Sequence, residues 1–243
     1  MKAVILAAGI ASRLRPLTNN IPKCLLKVGR KNILELTIEN LIANNIHEII
    51  IITGYLESQI RDFIKRRFPQ INVSYIYNEI YASTNNIHSL WLAKDAVLGD
   101  DMLMMDSDIV FDGHIISKLA NSGYKNCLAL KRHDLKDEEI KVKIDTKGRV
   151  VEISKEVNPA EAAGESIGIE IFGKETLPVL YNILDRKVVV EKNVNQFYET
   201  AFQDLVNIGN DLYIVDSTEY FCMEIDTESD LHIAELHILK SMH

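Results

Sequence analysis

Four apolar runs of strand length, with amphipathic helical stretches between them, constrain the first half of this 243-residue chain. The runs are Lys2–Leu6, Glu48–Ile52, Val73–Tyr77 and Met102–Met105. Helical patterns fall between them at Ile33–Ala43, Leu56–Arg67 and Asn86–Val97. The first carries an apolar stripe of Ile33, Leu34, Leu36, Leu41 and Ile42 at helical spacing. Strand–helix alternation of this kind implies a mostly parallel sheet with helices on both faces. In such sheets ligands bind beyond the carboxyl ends of the strands. Ala7-Ala8-Gly9 and Asp106-Ser107-Asp108 each follow a strand, so the rule places them on one edge.

The second half reads differently. Lys141–Ile144 and Val150–Ser154 form a hairpin around Asp145-Thr146-Lys147-Gly148. Ser166–Phe172 is a further strand. Helices at Lys174–Leu184 and Gln196–Ile208, short strands at Leu212–Val215 and Cys222–Ile225, and a closing helix from about Glu228 to Lys240 follow. Thr227 is the expected N-cap of that last helix. There is no repeat, low-complexity tract or linker. The expected organisation is one domain over residues 1–243, with a nucleotide-binding half at 1–130 and an acceptor-binding half at 131–243. A net charge of −8 argues against a nucleic-acid partner, which would need a basic face. No run is long enough to span a bilayer, so no membrane insertion is expected. Three scattered cysteines without C-x-x-C spacing suggest reduced thiols in a cytoplasm. The seven histidines lack metal-ligand spacing.

The most informative segment opens the chain. Leu6, Ala7, Ala8 and Gly9 form a turn of small residues after the first strand. A flat base or a ribose can lie on that bare backbone, and the turn's amides can bind phosphate oxygens. Arg13, Arg15 and Lys23 bring positive charge to the same place. This is a seat for a nucleoside triphosphate, although the Walker and dinucleotide glycine patterns are absent. Asp106-Ser107-Asp108 at a strand end suits a hard cation facing a polyphosphate, though aspartates there also cap or turn. Asp226 ends another strand. Alone it also reads as a helix cap; paired with Asp108 it reads as a second metal ligand.

Leu6-Ala7-Ala8-Gly9, with Ser12-Arg13-Leu14 and then Pro22-Lys23, resembles the signature of the nucleotidyltransferase superfamily that makes sugar nucleotides and CDP-alcohols. Tyr81, Asn85, Asn86, Ser89 and Leu90 are similar to the corresponding stretch of bacterial phosphocholine cytidylyltransferases. The resemblance spans Met1 to about Lys240 and is weakest between residues 131 and 200. It implies an α/β fold: a Rossmann-like doubly wound mixed sheet of the GT-A-like type, with a smaller region covering the acceptor. It implies Mg²⁺ held by Asp108 and Asp226, Arg13 on the β- and γ-phosphates, and Lys23 bridging the α-phosphate and the acceptor. Leu6, Ala7, Ala8, Gly9, Ser12, Asn85, Ser89 and Asp106 would seat the nucleotide. Asn86, Lys155, Glu170 and Glu199 would contact the acceptor, with Glu165 nearby, and together the acids hint at a cationic acceptor. An aromatic cage for a quaternary ammonium is not evident beyond Phe197 and Tyr198, the single tryptophan Trp91 falls in a core helix, and His88 stands where such relatives often have an aromatic.

The implied reaction is attack of an acceptor phosphate or phosphonate oxygen on the α-phosphorus of CTP, with release of pyrophosphate. Phosphocholine, phosphoethanolamine and aminoalkylphosphonates are the candidate acceptors, and a homodimer fits the resemblance. Three alternatives stay open. A sugar-1-phosphate nucleotidyltransferase shares fold and chemistry. A glycosyltransferase would use Asp106-Ser107-Asp108 but not Ser12-Arg13 and Pro22-Lys23. A non-catalytic nucleotide-binding regulator should have lost a metal ligand or the bridging lysine, and neither is missing.

Overall fold

A computed structural model describes residues 1–241, the side chains of residues 240 and 241 excepted. In chain order the first half runs β1 (Lys2–Ala7), β2 (Lys27–Val28), β3 (Lys31–Asn32), α1 (Ile33–Ala43), β4 (Glu48–Thr53), α2 (Glu57–Arg67) and β5 (Asn72–Tyr77). It continues with α3 (Asn86–Leu92), α4 (Lys94–Val97), β6 (Met102–Asp106), β7 (Ile109–Phe111), α5 (His114–Ala120) and β8 (Asn126–Lys131). The second half holds β9 (Lys141–Ile144), β10 (Val150–Ser154), β11 (Gly164–Phe172), α6 (Leu177–Asp185), α7 (Glu199–Asn207), β12 (Tyr213–Asp216), β13 (Cys222–Glu224) and α8 (Glu228–Ser241).

Among the described residues nine strands form one mixed sheet, ordered β10-β9-β11-β6-β1-β4-β5, with β8 pairing β11 and β12. The segment β6-β1-β4-β5 is parallel, and β11 runs antiparallel to β6 and β8. The expected α/β fold with a mixed, doubly wound sheet is therefore present. The central parallel strands β1, β4 and β6 are largely apolar because both faces are covered, whereas the edge strand β5 is part-exposed. Ala3, Ile5 and Ala7 face a core built with α1, α2 and α5; Val4 and Leu6 face a second core built with α3, α6 and α7. Each buried Val, Ile or Leu contributes about 1.5–3 kcal/mol, so Val4, Ile5 and Leu6 make β1 a rigid support for the turn at its end.

The start of α1 follows from a capping box in which Asn32 and Glu35 satisfy each other's backbone amides. The helix expected at Asn86–Val97 is two helices, parted at Ala93, where bonding tightens to the i→i−3 kind (Ala93 N to Leu90 O, 3.1 Å; Ala96 N to Ala93 O, 3.0 Å). The helix expected from Gln196 starts at Glu199, because the residues before it stitch the halves together. Asn85 N donates to Val194 O (2.9 Å), and Tyr198 N donates to Asn86 Oδ1 (2.9 Å). β11 carries a bulge between Ser166 and Glu170. Gly168 sits there with φ +70°, and a Cβ would lie 2.8 Å from Asp106 Oδ2, so both conformation and space require glycine.

Candidate active site

The carboxyl ends of β1 and β6 open into one cavity of about 730 Å³, as the alternation of strands and helices requires. Leu6, Ala7, Ala8, Gly9, Arg13 and Lys23 line one side of it. A Cβ on Gly9 would meet nothing within 4 Å, so the open space there belongs to the cavity. Gly54 supports the turn from behind: its Cβ would fall 2.6 Å from Ala8 O and 2.7 Å from Tyr81 Cβ. Tyr81, Asn85, Asn86 and Ser89 continue the wall. Buried Asn78 orders them, donating through Nδ2 to Thr84 Oγ1 (3.2 Å) and Ser89 Oγ (3.3 Å). Asn85 caps α3 with its own side chain.

Opposite the turn, β6 and β13 bring acids to the cations. Lys23 Nζ donates to Asp108 Oδ2 (2.6 Å) and Asp226 Oδ1 (2.8 Å), and stands 4.0 Å from Glu224 Oε1. Arg13 pairs with Asp226 Oδ2 at 2.8 Å. Burial works against the Lys23 ammonium, but Asp108 and then Asp226 outweigh it and hold its pKa above the usual lysine value. Asp108, Glu224 and Asp226 offer oxygens within 4.8 Å of one another. Desolvation, then the negative charge of Asp108 and Asp226, raises the Glu224 carboxyl above the usual range. This all-oxygen donor set suits a hard cation such as Mg²⁺. The cap of α8 is Thr227, whose Oγ1 accepts from Asp230 N (3.2 Å). Asp226 is thus left to face Lys23 and Arg13.

The floor and far wall are acidic. Asp106 accepts from the Tyr198 hydroxyl at 2.9 Å, and burial with the nearby Asp108 charge raises its pKa well above the carboxylate range. Glu199 lines the cavity while buried, its Oε2 without a protein partner, and burial pushes its pKa up to about 7. Lys155 also lines the wall. It pairs with Glu138 at 3.0 Å and lies 4.7 Å from the Phe197 ring centre.

Several expectations need correction. Glu170 is not on the wall and is not a solvated acid. It sits in mid-sheet between Met104 and Leu128, fully buried, accepting from Ser166 Oγ at 3.3 Å. A contact between Glu170 and the acceptor is therefore blocked by the sheet. Ser12 and Arg15 are exposed on the loop and lie off the cavity wall. Tyr198 offers no cage face, because its ring is buried against Phe202 with its centre 5.1 Å away. His88, likewise buried, stacks on Trp91 rather than facing the cavity. Glu224 was missed as an acid of the site, although its period-2 relation to Asp226 signals a shared strand face. Asn78 and the loop residues His133 and Glu139 were missed as well, and they line the same cavity.

A small-residue turn at a sheet edge, with cations and three carboxylates beyond it, is an arrangement suited to a nucleotide-transferring enzyme. Residues 2–150 match the nucleotidyl transferase family, and the chain belongs to that family. It is 31% identical to CTP:phosphoglutamine cytidylyltransferase of Campylobacter jejuni, covering 96% of this chain and 98% of that one. It is 30% identical to choline-phosphate cytidylyltransferase of Streptococcus pneumoniae, covering 99% of each. The solved CTP:phosphocholine cytidylyltransferase of Streptococcus pneumoniae superposes with a TM-score of 0.83 at 27% identity, covering 98% of both chains. No helix among the described residues is long and apolar enough to cross a membrane.

Proposed function

We propose that this enzyme transfers the cytidylyl group of CTP to a small acceptor bearing a phosphate or phosphonate and an ammonium group, releasing pyrophosphate, with Mg²⁺ as cofactor. The observation that carries the reading is the meeting of Lys23 and Arg13 with Asp108, Glu224 and Asp226 at the end of the nucleotide turn. Ala7, Ala8 and Gly9 hold the nucleoside face, and Asn85 with Ser89 offers polar partners for base or ribose. Arg13 binds the outer phosphates. Lys23 leaves its carboxylates to neutralise the α-phosphate and the incoming acceptor oxygen.

Asp108 and Asp226, with Glu224, would hold Mg²⁺, which when bound supplies positive charge to the phosphates. No general base is required, since the attacking oxygen is already an anion. Lys23 and Arg13 therefore act by positioning two anions and screening their repulsion. Lys155 is suited to the acceptor phosphate, and the unpartnered Glu199 Oε2 to an ammonium. The choice of CTP is supported by the cytidylyltransferase relatives. The two halves share one sheet, which supports a single domain over residues 1–243. Three buried free thiols support a reducing, cytoplasmic setting.

The test is pyrophosphate release from CTP, UTP, ATP and GTP against phosphocholine, phosphoethanolamine, aminoalkylphosphonates and sugar 1-phosphates. CTP with an amine-bearing acceptor should turn over fastest. Faster release with UTP and a sugar 1-phosphate would move the enzyme to the sugar-nucleotide branch.

A further inference from the structure

The loop between β8 and β9 carries a histidine whose surroundings nucleotidyl transfer does not use. His133 Nε2 lies 2.8 Å from Glu165 Oε2 and 4.0 Å from Glu139 Oε2. All three ligand atoms fall within 4.8 Å of one another. Donors about 2.1 Å from a Zn²⁺ ion stand roughly 3–4 Å apart, so these spacings need little adjustment to enclose a first-row cation. The three residues line the cavity on the acceptor side and share no member with the Asp108, Glu224 and Asp226 group.

The supporting contacts are those that orient metal ligands. His133 Nδ1 lies 3.0 Å from the Asp134 carbonyl, which would keep a ring proton on Nδ1 once a cation displaced the proton that Nε2 shares with Glu165 Oε2. Lys136 N donates to Glu139 Oε2 at 2.8 Å and fixes that carboxylate. Glu165 is half-buried on β11, with Oε2 towards the imidazole. Its cross-strand neighbour Lys131 does not neutralise it by contact, since Lys131 Nζ donates to Cys222 O at 2.7 Å. One imidazole with two carboxylates favours a borderline ion such as Zn²⁺ over Mg²⁺.

We propose that His133, Glu139 and Glu165 form a second divalent-cation site, selective for Zn²⁺ over Mg²⁺, on the acceptor wall of the cavity. Three protein ligands leave a coordination position open towards the cavity. The proposal does not depend on the identity of the nucleotide or the acceptor.

The experiment is equilibrium dialysis of the chelator-stripped full chain against Zn²⁺ in millimolar Mg²⁺, with metal counted per protein. Wild type and Asp226→Asn should each retain one Zn²⁺. His133→Ala and Glu165→Gln should each bind it on the order of 100-fold more weakly, since even outer partners of metal ligands are worth about 10–100-fold. Circular dichroism confirms that each variant is folded, and either variant alone suffices as the test. No retained Zn²⁺ in wild type would overturn the proposal, leaving His133 and Glu165 as an ordinary ion pair. Equal retention by wild type and both variants would overturn it too.

Discussion

Replacing Glu199 by Gln should remove the loss of stability that the native enzyme suffers between pH 4.5 and 8, while weakening its hold on the acceptor. The native carboxyl is buried with one unpartnered oxygen, and its pKa rises from 4.5 to about 7. The sign follows from proton binding. Between pH 4.5 and 7 the folded chain holds the Glu199 proton and the unfolded chain has lost it. Stability therefore falls as pH rises through that window; the penalty is absent below it and complete above it. Every tenfold change in proton affinity corresponds to about 1.4 kcal/mol, so the full penalty is on the order of 3 kcal/mol. Gln has no such titration. Its buried amide carries a cost of about 1–3 kcal/mol that does not vary with pH. The informative quantity is thus the stability difference between variant and wild type at pH 8 minus the same difference at pH 4.5. Urea unfolding of both proteins at the two pH values measures it. The expected change is about 3 kcal/mol in favour of Gln at the higher pH, or roughly 6–12 °C in Tm for a chain of this size. In steady state the variant should raise KM for the acceptor and leave KM for CTP nearly unchanged. A stability difference that does not move with pH would refute the reasoning, because Glu199 would then be ionised without penalty in the fold.

Lys23→Ala should lower kcat on the order of 10²–10³-fold, and without Mg²⁺ it should also lower Tm, since Asp108, Glu224 and Asp226 lose their counter-charge. Normal turnover in the folded variant would exclude Lys23 as the bridging cation. Asp108→Asn and Asp226→Asn should each abolish Mg²⁺-dependent turnover, and the double variant should be little worse than either single one; losses that multiply would exclude a shared ion. Gly9→Ala should leave Tm unchanged, because the added methyl meets no protein atom within 4 Å. It should raise KM for CTP several-fold, and an unaltered KM would mean that the nucleoside does not lie on the turn.

The parts of the site that local rules govern were legible in the sequence. The central parallel strands β1, β4 and β6 are largely apolar because both their faces are buried, and the strand–helix alternation set the edge where the cavity opens. Thr227 caps α8 through a side chain three residues from its partner Asp230, a relation visible in the letters. Other features depend on chain distant in sequence. Glu170 alternates like a wall residue, but β6 and β8 flank it on both sides, and only the pairing of β11 reveals that. Tyr198 looks like a free aromatic until its hydroxyl is found on Asp106, 92 residues earlier.

The acidic residues of the acceptor half divide along the same line, and the division explains why that half was hardest to read. A surface acid and a buried one are the same letter; what separates them is whether the fold supplies a partner. Glu138 has Lys155, so its charge costs little. Glu199 has a buried oxygen with none, and burial of an unpaired carboxylate is tolerated chiefly where something else completes it. Its surroundings relieve this only in part: burial outweighs the hydrogen bond from its own backbone amide and the charge of Lys155, both of which favour ionisation. A wall with one such open carboxylate loses stability in the free enzyme and, under the proposed function, would recover it when the acceptor's ammonium arrives. Under the proposed function that recovery would discriminate between acceptors, because a neutral polyol phosphate would leave Glu199 as it was, whereas an ammonium would relieve the burial.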